Sequence, residues 1–344
     1  MALHDEILEQ YQVIKDLLTS QKALAKQIAA EINARQIRYI FLAARGTSDN
    51  AGRYANYLFG AHNRLPVALA TPSLFSIYHQ PPLLKNALVI GISQSGQSPD
   101  IVSVVAEGKK QGNLTLALTN EPDSPLAAEA DFVFDICAGR ELAVAASKTY
   151  TAELAAIAML STALSGWETD WATLECLPAW VEETLKLDPA LEQASARYRY
   201  MQRCVVLGRG FNYATAFEWS LKLKELTYVI AEPYSSADFM HGPVAMVDQG
   251  FPVMVVNPSG AVFDSLLAVM EQLKKQSAEL AVISDHPQAL EKGHTLIELP
   301  AGIPEWLSPI ISIIPAQLFC YHLTRHRGLD PDTPRSLHKV TETQ

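Results

Sequence analysis

The chain has 344 residues, with 27 Lys and Arg against 37 Asp and Glu and a formal net charge of −10. That length is comfortable for two domains of ordinary size, and the acidic balance offers no basic stripe of the kind that neutralises a phosphate backbone, which argues against nucleic acid as a partner. A bound anion must then be a small one, held by local donors rather than by the field of the whole protein.

The opening Met1-Ala2-Leu3-His4-Asp5-Glu6 has no cationic lead into an apolar stretch, and no long charge-free apolar segment follows, so a soluble, cytoplasmic protein with no membrane partner is expected. Cys137, Cys176, Cys204 and Cys320 are scattered without CxxC spacing. They read as reduced thiols, and neither a disulfide, a metal nor a cofactor is expected.

In chain order, residues 5 to about 33 place Ile7, Tyr11, Ile14, Leu18, Leu24, Ile28 and Ile32 at helical intervals, which predicts an amphipathic N-terminal helix (residues 1–34) lying across the first repeat or a partner subunit. Residues 35–166 alternate short apolar runs at 40–44, 88–92, 114–118 and 132–136 with longer helical stretches. Strands separated by helices predict a parallel sheet covered on both faces. Residues 167–200, rich in Glu, Leu and Ala with Pro178 and Pro189, read as two linking helices. Residues 201–327 repeat the first layout, with runs at 204–207, 253–256, 280–283 and 295–299. From Gly328 the polar, proline-bearing residues 328–344 read as an extended tail.

The repeat is in register. Gly46 to Gly96 and Gly210 to Gly260 are equal intervals, and Asn120 against Asp285 and Gly139 against Gly302 hold the offset within a residue. Two tandem copies of one α/β domain follow, each a parallel sheet flanked by helices.

In such sheets ligands bind beyond the carboxyl ends of the strands. There the first copy carries Ser93-Gln94-Ser95-Gly96-Gln97-Ser98 and Gly46-Thr47-Ser48. Their hydroxyls, a glycine that lets backbone come close, and a following helix N-terminus suit a phosphate. A capped helix would explain either loop alone. The second copy is a control, because its Asn257-Pro258-Ser259-Gly260-Ala261-Val262 has lost most hydroxyls and gained a residue without an amide hydrogen, yet belongs to the same fold.

The second copy has Glu218, Lys222 and Glu225 at intervals of four and three, one helical face. Spacing alone favours a solvated ion-pair ladder. The surrounding Leu221, Leu223, Leu226 and Tyr228 instead suggest partial burial, where a carboxylate can become a base. His241 falls in a turn-forming Asp-Phe-Met-His-Gly-Pro, and Lys339 in the polar tail, where a lysine is ordinarily solvated.

Six ordered motifs, Gly46-Thr47-Ser48, Ser93-Gln94-Ser95-Gly96, Glu141-Leu142-Ala143-Val144-Ala145, Leu221-Lys222-Leu223-Lys224-Glu225, His241-Gly242-Pro243 and Pro334-Arg335-Ser336-Leu337-His338-Lys339, resemble the sugar isomerase (SIS) family. Within it, they look like the isomerase half of glucosamine-6-phosphate synthase. The resemblance implies that Ser48, Ser93, Gln94, Ser95 and Ser98 hold a sugar phosphate, with Thr47 and the backbone near Val144 also against the substrate. It implies that Glu225 moves a proton between C1 and C2, supported by Lys222 and Glu218. His241 would assist ring opening, often across a subunit boundary, and Lys339 would form a Schiff base with the open-chain ketose.

There are departures. Arg45 stands where the synthases commonly have cysteine, Gln97 and Ser98 where Glu and Thr are usual, and His338 where a small residue is usual, all of which bear on the sugar. The sequence enters the isomerase region without a preceding glutaminase domain, so ammonia from glutamine is not expected from this polypeptide alone. The reading is a homodimeric aminosugar-phosphate deaminase and isomerase, like type-II glucosamine-6-phosphate deaminases. A simple phosphosugar isomerase, a fructosamine-6-phosphate deglycase and a non-catalytic sugar-phosphate sensor are the alternatives.

Overall fold

A computed structural model describes residues 2–337 and Lys339. Met1 of the N-terminal helix reading, and His338 and residues 340–344 of the tail reading, lie outside the described residues. The chain forms two compact units. One holds the first repeat, Glu9–Glu141 and Lys148–Pro178, together with Lys339; the other holds the second repeat from Ala179 to Leu337 together with the first helix and Leu142–Ser147.

The first unit contains strands β1 (Tyr39–Ala43), β2 (Val67–Leu69), β3 (Ala87–Ile92), β4 (Leu114–Thr119) and β5 (Phe132–Asp135). The second contains β6 (Arg203–Gly208), β7 (Ile230–Ser235), β8 (Pro252–Val256), β9 (Glu279–Ser284) and β10 (Thr295–Glu298). All pairings are parallel, in the orders β2-β1-β3-β4-β5 and β10-β9-β8-β6-β7. With β6 matched to β1 and β7 to β2, these are one order written twice. Each apolar run of the sequence is a strand.

The central strands are covered on both faces, so every residue of β3 and β4 is buried. In the first copy Phe41, Val89 and Ala117 pack with Ile101, Val104 and Val105. In the second, Val205, Val253, Val255 and Val282 pack with Leu266, Met270 and Leu273. The last helix of each copy, Lys148–Ser165 and Ser308–His326, is buried nearly all round, as its lack of a polar face requires.

The sequence patterns differ from the structure at three places. The N-terminal helix is three, Ala2–Leu8, Gln10–Ser20 and Lys22–Ala34, interrupted at Glu9 and Gln21; the latter two pack on Lys148–Ser165 of the first copy. The link has three α-helices, Glu168–Leu174, Leu177–Leu185 and Asp188–Ser195, because Pro189 starts a helix rather than interrupting one. Two edge strands escape pattern reading: β2 is three residues long and β7 contains Pro233, which an edge position tolerates. No helix among the described residues is long and apolar enough to cross a membrane, and all four cysteines are free thiols.

Candidate functional site

In the first unit the strand order reverses between β1 and β3, the switch point at which open α/β sheets bind ligands. Both polar loops begin there. Gly46 follows β1 with φ +54°, and Gly96 follows β3 with φ +61°. Gly96 is required twice over, since a Cβ there would also fall 2.0 Å from Ser124 Oγ.

The serine turn is held by its own backbone. Gln94 carbonyl accepts from Asn120 N–H at 3.1 Å and Thr119 hydroxyl at 3.3 Å, and Gly96 carbonyl accepts from Leu126 N–H at 3.1 Å. Ser93 Oγ accepts from Gly96 N–H at 3.1 Å and Ser95 Oγ from Gln97 N–H at 3.3 Å, which leaves both hydroxyl protons to be donated. Ser98 is the N-cap residue of Pro99–Lys110 but makes no side-chain cap hydrogen bond. Capping therefore does not account for this hydroxyl. Gln94, Ser95, Ser98 and Thr47 are half-buried, and Ser93 is buried.

Ser48 differs from the others. It is 8% exposed and donates to buried Glu153 Oε1 at 2.8 Å, so to grip an anion with its hydroxyl it must release that carboxylate. Arg45, the residue that departs from the synthase pattern, ties the two loops together by donating from Nε to Asp100 Oδ2 at 2.7 Å; Asp100 is fully buried two residues past Ser98. Neither Glu153 nor Asp100 carries a sequence signal for this role: Asp100 reads as an ordinary acid in the first turn of an amphipathic helix, and Glu153 is a single acid in an apolar helix whose partner is more than a hundred residues away.

In the second unit Glu218, Lys222 and Glu225 form a buried cluster rather than a solvated ladder. Lys222 Nζ lies 3.3 Å from Glu218 Oε1 and 2.7 Å from Glu225 Oε2, with Lys222 2% and Glu218 0% exposed. Burial alone would lower the lysine's pKa, but the two carboxylates outweigh it and hold the ammonium above the usual lysine range. Glu225, 24% exposed, is the member that reaches solvent. It sits in a π-helical segment, Leu223–Thr227, ended by left-handed Tyr228 at φ 59°. Such insertions are rare and re-aim side chains, often at functional sites. The Arg335 guanidinium covers the Tyr228 ring at 3.7 Å, and Arg335 N–H donates to its hydroxyl at 2.8 Å.

His241 closes the short helix Ser236–Met240 and is exposed. Leu142 and Ala143 N–H donate to the Glu6 carboxylate, which anchors the stretch bearing half-buried Val144. Lys339 is not solvated as a tail lysine would be. Its Nζ donates to Glu141 Oε2 at 2.6 Å, and Glu141, fully buried, also accepts from Thr149 N–H at 3.2 Å and Thr149 hydroxyl at 2.9 Å. Glu141 opens one of the six motifs but was not singled out as a site residue. Its signal was an acid within an otherwise apolar run.

A protein-family model, the SIS domain, matches residues 34–163 and again 199–327. The glutamine–fructose-6-phosphate aminotransferase [isomerizing] of Thermococcus kodakarensis is 35% identical over 343 residues, 97% of this chain and 56% of that protein. The chain thus spans a little over half the length of the curated relatives it matches. Among solved structures, a Silicibacter pomeroyi protein assigned as a phosphosugar isomerase superposes with TM-score 0.87 at 32% identity, covering 96% of this chain and all of that one. The C-terminal domain of glucosamine-fructose-6-phosphate aminotransferase from Francisella tularensis gives 0.87 at 29%, covering 97% and 98%. With each family match falling on one of the two copies that strand order already equates, the chain belongs to the SIS-domain family.

Proposed function

We propose that this chain is an aminosugar-phosphate deaminase and isomerase that converts glucosamine 6-phosphate and water to fructose 6-phosphate and ammonia. The observation that carries the reading is the buried Glu218–Lys222–Glu225 cluster, a charge arrangement that is costly in a core and leaves one carboxylate partly open. The first copy supplies the anion grip through Ser93, Gln94, Ser95 and Ser98, with Ser48 and Thr47 beside them. The second supplies proton transfer.

On the open-chain aminosugar, Glu225 takes the C2 proton while the C1 carbonyl oxygen takes one from water, giving an enolamine, and Glu225 then returns its proton to C1, leaving a C2 iminium. Lys222 holds the carboxylate between those positions and Glu218 compensates Lys222. Lys339 adds to C2 and displaces ammonia, and water then hydrolyses the resulting Schiff base, which restores the amine and yields the ketose. Lys339 must be neutral to attack, and Glu141 at 2.6 Å is placed to take its proton and give it back. His241 serves ring opening by shuttling a proton between ring and hydroxyl oxygens.

The test is incubation of the pure full chain with glucosamine 6-phosphate, with ammonia and fructose 6-phosphate measured by separate coupled assays. Equal yields of the two are expected. Saturable binding without turnover would make the protein a sensor, turnover only of an amino-acid adduct would make it a deglycase, and interconversion of unaminated sugar phosphates alone would make it a simple isomerase. Each of these outcomes rejects the proposal.

A further inference from the structure

Two histidines and an aspartate from three distant stretches converge in the second unit, none of them given a role above. His4 Nε2 lies 2.9 Å from Asp188 Oδ2, and His322 Nε2 lies 2.6 Å from Asp188 Oδ1. The three ligand-capable atoms all fall within 4.8 Å of one another. We propose that His4, Asp188 and His322 form a binding site for one divalent transition-metal ion of the zinc type, which fastens the first helix and the link to the last helix.

The donor set fits that class of ion. Two neutral imidazoles and one carboxylate are ligands of zinc and its neighbours, whereas calcium and magnesium prefer all-oxygen sites. Tetrahedral coordination at about 2.0–2.2 Å sets donors a little over 3 Å apart. The two histidine-to-carboxylate separations are already close to that, so small side-chain adjustments would admit the ion. A water can complete the shell, because His4 and Asp188 are 24% and 22% exposed while His322 is 6% exposed.

The supports are rigid. His322 lies within the buried helix Ser308–His326, and one turn further on His326 Nε2 reaches Glu192 carbonyl at 2.7 Å, which fixes the register of that helix against Asp188–Ser195. His4 is held from its other side: Asp332 accepts from Ala2 N–H at 3.1 Å and Leu3 N–H at 3.0 Å, and the His4 ring stacks on Tyr321 at 4.7 Å. No short sequence spacing betrays the cluster, since its members are separated by well over a hundred residues each.

The experiment uses the full chain stripped with a chelator, desalted, and titrated with zinc chloride against a competing chromogenic chelator. One ion per chain is expected, with a rise of several degrees in thermal midpoint, and cobalt(II) should give the visible bands of a four- or five-coordinate site. His4→Gln keeps a hydrogen-bonding amide but loses the imidazole, and Asp188→Asn keeps the shape but loses the charge. Each should weaken zinc by more than about a hundredfold, since even outer-shell partners of ligands are worth up to that. A Cys137→Ser/Cys176→Ser variant should bind as the parent does. Absence of stoichiometric binding, or binding that survives both His4→Gln and Asp188→Asn, would leave a purely hydrogen-bonded cluster and overturn the proposal.

Discussion

The turn after β3 and the turn after β8 occupy the same place in two copies of one fold, and their donors are used differently. In the first copy the turn offers Ser93, Ser95 and Ser98 with hydroxyls to donate. In the second, carboxylates of the protein itself occupy the backbone donors: Ser259 N–H donates to Asp285 Oδ1 at 2.6 Å and Ala261 N–H to Glu305 Oε2 at 2.8 Å. A Cβ on Gly260 would fall 2.3 Å from the Glu305 carboxyl carbon, so that glycine makes room for an internal anion. The helices that follow β1 and β6 differ in the opposite sense. With Gly210 set against Gly46, Glu218, Lys222 and Glu225 fall opposite Tyr54, Leu58 and Ala61, of which Tyr54 and Leu58 are fully buried. One copy keeps free hydroxyls on its turn and apolar side chains at the matched helix positions; the other fills its turn with its own carboxylates and places charges at those positions.

The largest expected effect comes from breaking the charged helix. Lys222→Met removes the buried cation that Glu218 and Glu225 both face, and about 3–5 kcal/mol of stability should be lost. The double variant Glu218→Leu/Lys222→Leu, which restores the apolar pattern of the first copy, should recover most of it. Urea midpoints of the two proteins decide, and a double variant no better than the single one would show that the charges also hold the helix in shape.

Next comes Glu225→Gln, which keeps size and hydrogen bonding but removes the base. Ammonia release from glucosamine 6-phosphate should fall by about 10²–10⁴-fold, with KM changed by little. Smaller again is Ser95→Ala. A hydrogen bond to a charged group is worth about 1.5–3 kcal/mol, so KM should rise by roughly ten- to a hundredfold with kcat nearly intact. If Ser95→Ala lowered kcat as much as Glu225→Gln does, the division of labour between the copies would be wrong.

The fold was legible because duplication and parallel strands leave redundant marks: apolar runs recur, and glycines keep their intervals in both copies. The Glu218–Lys222–Glu225 cluster was only half legible. Its spacing put three side chains on one face, but the same spacing describes a solvated ladder, and only packing against buried neighbours distinguishes the two. The π-helical turn under Glu225 left no mark, since Leu223-Lys224-Glu225-Leu226-Thr227 is an unremarkable helical string. Long-range partners were illegible for the same reason. Glu141 under Lys339, Glu153 under Ser48 and Glu305 under the second turn are each set by folding, not by neighbours in sequence.

Glu305→Ala gives the smallest effect and bears most directly on the comparison of the two turns. An anion at a helix N-terminus stabilises by about 0.3–1 kcal/mol when partly exposed, and Glu305 is half-buried, so removing it should lower stability by no more than that. The informative readout is inorganic phosphate. In the Ser95→Ala background, where the first turn is weakened, phosphate should raise the thermal midpoint little; adding Glu305→Ala should restore part of the protection, because the amide of Ala261 then points where the Glu305 carboxylate was. Restoration should be incomplete, since Asp285 remains on Ser259 and Pro258 contributes no donor. If phosphate gives the double variant no more protection than Ser95→Ala alone, the second turn is an ordinary capped loop, and its likeness to the serine turn extends to the backbone course and not to anion binding.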